Sequence, residues 1–191
     1  IGGNFWIVRN AVLEEMEAFT ALEKVGGLLY ITENILPHID SLAQLREVGS
    51  HVYMSWSPGL DNLDGFSGLE EIGGDLWINN LDDLTSVQGL ENVERVDGFV
   101  RFSKLPKVPQ IACLEKLTSI GGELRIDNNP TLTHFDGLAN VTSVGGHIYL
   151  EFNDVLEDVP GMAGIVSATG GVFIEGNAAL KNIDGLGNLE S

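Results

Sequence analysis

Eight residues suited to recognition recur along the chain at intervals of 24 or 23: Trp6, Tyr30, Tyr53, Trp77, Arg101, Arg125, Tyr149 and Phe173. Six are aromatic and two are arginine. Rings supply flat apolar faces, and a guanidinium supplies a fork of donors. The chemistry such a set supports is ring packing, cation–π contact and pairing with carboxylates, not bond breaking. Trp, Tyr and Arg also dominate binding hot spots. The set therefore reads as a partner-binding face, with a protein partner or a second copy of the chain ranked ahead of a glycan stacked on the rings. A competing reading is structural, because aromatic pairs on adjacent strands stabilise a sheet with no partner at all. Leu28, Trp56, Phe99 and Phe152 lie beside the set and widen the same face.

Residues able to do other chemistry do not gather. His51 and His147 hold equivalent places four repeats apart, ~19 Å at the spacing of stacked strands. His38 and His134 belong to another edge. The sequence contains no HExxH, no paired cysteines, no EF-hand loop and no GxSxG, so no metal, cofactor or catalytic residue is assigned. Cys113 is the single cysteine, which rules out an internal disulfide. It stands where other repeats carry Gly65, Gly89, Gly137, Gly161 and Gly185, and reads as a tucked-in structural thiol. Asn140-Val141-Thr142 is the one glycosylation sequon, relevant if the chain is secreted. The net charge of −18, from 28 acidic and 10 basic residues, argues against nucleic acid as a partner. Its first reading is solubility, with cation binding or a saline setting as the alternative. No apolar run reaches the ~18 residues of a membrane span.

What must position these residues is a repeat. Gly-Gly occurs at 2–3, 26–27, 73–74, 121–122, 145–146 and 170–171, with Gly49-Ser50 and Asp97-Gly98 filling the gaps. The spacings are 24, 23, 24, 24, 24, 24 and 25. A period in this range signals a solenoid. The glycine pair is expected to supply backbone conformations closed to other residues. Apolar–outward–apolar triplets such as Leu76-Trp77-Ile78 and Leu124-Arg125-Ile126 then give the period of a strand, with the recognition residue at each centre. An Asn follows in five repeats (Asn10, Asn34, Asn129, Asn153, Asn177) and is expected to bond open backbone groups of adjacent coils. Apolar residues at spacing three come next, as in Leu132, Phe135, Leu138, Val141 and Val144. They suit short strands with corners or loose helical turns. The Asp-Gly steps at 64–65, 136–137 and 184–185 read as turns.

The expected fold is all-β: a parallel β-helix, or leucine-rich solenoid, of about eight 24-residue coils, with residues 1–191 forming a single domain. At ~4.8 Å per coil it makes a rod ~40 Å long. The chain opens on a turn and stops part-way through a repeat, so it reads as a piece of a longer chain.

The pattern GGxLxIxxNxxLxxLxGLxxLxxV resembles the receptor L-domain repeat over essentially the whole chain. That repeat builds the outer ligand-binding domains of insulin-receptor and epidermal-growth-factor-receptor relatives. It also occurs in lipid-anchored fungal cell-wall glycoproteins and other microbial surface proteins. The resemblance implies a right-handed, leucine-rich β-helix that is non-enzymatic and extracellular or on a cell surface. Cysteine-rich modules and a receptor ligand-contact signature are both lacking, and the coils are more uniform, which brings the microbial branch closer. The expected function is a binding or scaffold module presenting its aromatic face to a protein. The alternatives are a structural filament or cell-wall component, and a β-helix that binds or processes polysaccharide. Coil lengths vary by one residue, leaving no long loop from which to build a catalytic cleft. An ice-binding ladder of small residues fits least.

Overall fold

In the computed structural model, which describes residues 1–190, every triplet becomes a four-residue strand. The strands are Phe5–Val8, Leu29–Thr32, Val52–Ser55, Leu76–Asn79, Val100–Ser103, Leu124–Asp127, Ile148–Glu151 and Val172–Glu175. They lie in chain order in one parallel eight-stranded sheet. Each residue faces its counterpart one repeat away, so Leu124 pairs with Val100 on one side and Ile148 on the other. A second parallel sheet holds seven two-residue strands, from Lys24–Val25 to Ser167–Ala168, each just ahead of a glycine corner. The third side is less regular. Gln110–Ile111 pairs with His134–Phe135, and four other coils carry a single 3-10 turn, at Asp40–Leu42, Asp64–Phe66, Pro160–Met162 and Asp184–Leu186. Both forms expected for the spacing-three segments therefore occur, in different coils. The fold is the expected all-β solenoid. Eight strands against seven mean that the eighth coil is begun but not closed within the described residues.

The inward residues form one continuous core. Leu76, Ile78, Leu84, Leu90, Leu124, Ile126, Leu132 and Leu138 are all buried, as their spacing predicts. Burying each contributes roughly 1.5–3 kcal/mol. The expectation weakens in the last coil, where Val172, Ile174, Leu180 and Leu186 are partly covered and Ile183 is 49% exposed. No further coil among the described residues lies over them.

The asparagines act as the sequence suggests. Asn129 Nδ2 donates to Phe102 O (3.2 Å), while its Oδ1 accepts the Leu105 amide (3.0 Å). Asn153 and Asn177 repeat the pattern one coil on, with Nδ2 donating to Ile126 O and Leu150 O. Asn34 does the same for Ile7 O. In the three middle coils the place is held by Ser57, Leu81 and Leu105, so the ladder is interrupted. Ser57 turns its hydroxyl to Ser55 O of its own coil.

The glycine corner works differently from expectation. None of the paired glycines has a positive φ. They are needed because backbones of successive coils nearly touch: a β-carbon on Gly26 would stand 2.5 Å from Gly2 O, and one on Gly73 2.5 Å from Gly49 O. The left-handed conformation lies instead at the exit of the long strands. Arg9, Glu33, Trp56, Asn80, Lys104, Asn128 and Phe152 all have φ between 47° and 60°, with Gly176 in the eighth coil at 67°. The 25-residue spacing at the last glycine pair is a slide, not an insertion. Strands stay 24 apart, Gly170 hydrogen-bonds to Gly146 O, and Thr169 takes the place of Gly145, donating its hydroxyl to that residue's carbonyl at 2.5 Å.

Two substitutions of opposite sign follow. Gly73→Ala is expected to destabilise the fold by about 1–3 kcal/mol through overpacking. Lys104→Gly is expected to stabilise it by about 1 kcal/mol, because the side chain at φ 53° is strained and donates no hydrogen bond. Urea unfolding of both variants checks this, and shifts of the same sign would refute the assignment of strain to the exit corner.

Candidate interaction face

Alternation along the long strands places three columns on the outer face of the sheet. The first lies just before the strands and runs Asn4, Leu28, His51, Asp75, Phe99, Glu123, His147, Gly171, as the amide-to-carbonyl ladder fixes. The second is the expected column from Trp6 to Phe173, paired in unbroken register. The third closes the strands with Val8, Thr32, Ser55, Asn79, Ser103, Asp127, Glu151 and Glu175.

In the central column Trp6 is 62% exposed and Phe173 44%, while Tyr30, Tyr53, Trp77 and Tyr149 are half-buried. The rings cover one another in part. Tyr30 and Tyr53 stack at 4.7 Å and 18°, and Tyr149 and Phe173 at 4.9 Å and 13°. Tyr53 meets Trp77 at 84°, and Trp77 meets Phe99 at 72°. Burial, and after it the neighbouring Tyr53, raises the Tyr30 phenol above its ordinary value. Around Tyr30, Tyr53, Trp77 and Phe99, with Leu28, His51 and Asp75, the face forms a concavity of about 430 Å³.

The two arginines, expected to reach across an interface, are engaged within the chain. Arg101 forms a forked pair with Asp127, Nε to Oδ1 at 3.0 Å and Nη2 to Oδ2 at 3.1 Å, and its guanidinium lies 5.4 Å from the Trp77 ring centre. Asp127 also accepts from Ser103 Oγ and Asn128 Nδ2, both at 2.8 Å. Its side chain is 4% exposed, so each lone pair must be satisfied by the protein. Arg125 packs 4.0 Å from the centre of Tyr149 and lies 3.5 Å from Glu151. The physical reason is the register. A carboxylate two residues further along the next strand falls within reach of each guanidinium.

The histidines of the first column have a backbone role that the sequence concealed. His51 Nδ1 accepts the Asp75 amide at 2.9 Å, and His147 Nδ1 accepts that of Gly171 at 2.7 Å. Asn4 Oδ1 and Asp75 Oδ1 receive the Leu28 and Phe99 amides in the same way. Side chains of three types, Asn, His and Asp, thus serve one place, each through an acceptor atom bonded to Cγ.

Away from this face, Asn140 is exposed and its Nδ2 donates to Glu115 O at 2.7 Å. Asn92 and Asn188 make the same bond to Ser67 O and Ala163 O in other coils, giving Asn140 a structural task beside its sequon. Cys113 is fully buried, as its glycine-like place suggests, and burial pushes its thiol far above the ordinary value. Among the described residues no three His, Cys, Asp or Glu side chains gather as metal ligands, and no helix is long and apolar enough to cross a membrane. No protein-family model, curated protein or solved structure matches the chain.

Two outcomes test these placements. Asp127→Ala is expected to destabilise the fold by about 3 kcal/mol, since it leaves the Arg101 guanidinium three-quarters covered and unpaired. Cys113, fully buried, is expected to resist a maleimide at mildly alkaline pH until denaturant is added. Rapid labelling of the folded chain would contradict the burial assigned to that thiol.

Proposed function

We propose that this protein is a non-enzymatic binding or scaffold module of a cell surface or extracellular matrix, which presents the outer face of its long sheet to a protein partner. The observation that carries this reading is the aromatic column itself, continuous over the first four coils and ending in the Tyr53–Trp77–Phe99 concavity. A β-solenoid needs apolar residues inside, but β-branched or polar residues would serve its outer face equally well. Exposed ring area on this scale is unfavourable in water unless covered. The resemblance of the repeat to receptor L-domains supports the same class of function and the same location. A glycan is the weaker candidate, because stacked pairs such as Tyr30–Tyr53 use their faces on each other and turn edges to solvent.

Those stacks also favour a second reading, in which the column is structural and the chain is a filament or cell-wall component. The replacements Trp77→Ser and Tyr53→Ser separate the two. Binding predicts that retention on the native surface or assembly falls at least tenfold, while the thermal midpoint drops by a few degrees at most. Lost stability with unchanged retention would leave the structural reading and remove the binding one.

A further inference from the structure

Resting on the reading of this face as a protein-binding surface, we infer that the concavity bounded by Tyr53, Trp77 and Phe99 is a slot for an arginine side chain of the partner, anchored by Asp75. The argument begins with what the column already does. Twice it holds a guanidinium of its own chain between a ring and a carboxylate: Arg101 with Trp77 and Asp127, and Arg125 with Tyr149 and Glu151. The concavity has the same two components. Its rings Tyr53, Trp77 and Phe99 meet at steep angles, 84° and 72°, and so form walls to the concavity. Asp75 lies on its margin with a side chain 25% exposed. No cationic side chain lines it.

The backbone takes only one oxygen of Asp75. Oδ1 receives the Phe99 amide at 2.9 Å. Oδ2 stands 2.8 Å from His51 Nδ1, but that nitrogen already accepts the Asp75 amide. A carboxylate beside aromatic walls suits a cation with several N–H groups, placed between the rings and Asp75. A guanidinium supplies both a planar face for the rings and N–H groups for the carboxylate. The net charge of −18 draws a basic partner to the surface at long range.

The test uses the whole protein and three short capped glycine peptides carrying one central arginine, lysine or citrulline. Citrulline keeps the shape of arginine and lacks its charge. The indole N–H signals of the three tryptophans are followed by NMR, with that of Trp77 identified by its loss in Trp77→Phe. The arginine peptide is expected to shift the Trp77 signal saturably, with citrulline binding about tenfold more weakly and lysine in between. Asp75→Asn keeps an oxygen for the Phe99 amide and is expected to weaken arginine binding by a similar factor at an unchanged thermal midpoint. Equal binding of arginine and citrulline, or no response to either, would overturn the slot. The citrulline comparison decides the matter on the unmodified chain even if the Asn variant folds poorly. If the slot fails while Trp77→Ser still abolishes surface retention, the binding face stands and only its arginine specificity is lost.

Discussion

Each coil lies directly on the one before it, and every residue has its own counterpart for a neighbour. In-register stacking governs the rest of the molecule, because like is brought against like at the spacing of hydrogen-bonded strands. For apolar residues and asparagines this is favourable: leucine packs on leucine, and Asn residues in adjacent coils bond each other. Charge is where it would fail. The column Lys24, Glu47, Glu71, Arg95 sets two glutamates in direct register and closes them with a cation at either end. Elsewhere Arg9 meets Glu33, Arg46 meets Glu70, and Lys181 meets Glu157 one coil away. Such exposed pairs contribute little each, roughly 0–1 kcal/mol. Their value lies in relieving the repulsion that register imposes on a chain with 28 acidic residues.

The aromatic column is the same rule applied to rings. Once a large side chain is placed outward in one coil, its counterpart above gains from ring contact at about 0.5–1.5 kcal/mol per pair. The two arginines do not break the column. They extend it, since a guanidinium packs on a ring face as another ring would, and each needs a carboxylate from the third column to stay in place. Stability and recognition are therefore not separable by inspection of the face alone. Every ring of the column keeps part of its surface open, most of all Trp6 and Phe173 at its two ends.

Period carried most of the fold. Triplets such as Leu124-Arg125-Ile126 fixed the strands, their register and the side facing out, and the spacing-three leucines fixed the core. What the residues concealed was conformation. Lys104, Trp56 and Phe152 give no hint of a left-handed backbone, because side-chain type there is set by the surface and the φ value by the turn that every coil must make. The glycine pairs pointed to the right place for a different reason, contact between backbones and not torsion. His51, Asp75 and Asp127 were missed as partners because their roles depend on what lies one coil away. Aligning the columns −2 and +2 relative to the ring would have set His51, Asp75 and His147 in one line, but not told which atom each offers.

The interrupted asparagine ladder has a mechanical consequence. Hydrogen bonds between coils run along the axis of the rod, so tension applied to its two ends would peel coils off singly. Each release would lengthen the chain by ~80 Å, the contour of 24 extended residues. Coils bearing Asn34, Asn129 or Asn153 carry extra bonds across the gap, whereas those bearing Ser57 and Leu81 do not. Extension would proceed in steps of nearly constant length and unequal force, with the softest plane in the middle of the rod, beside the concavity.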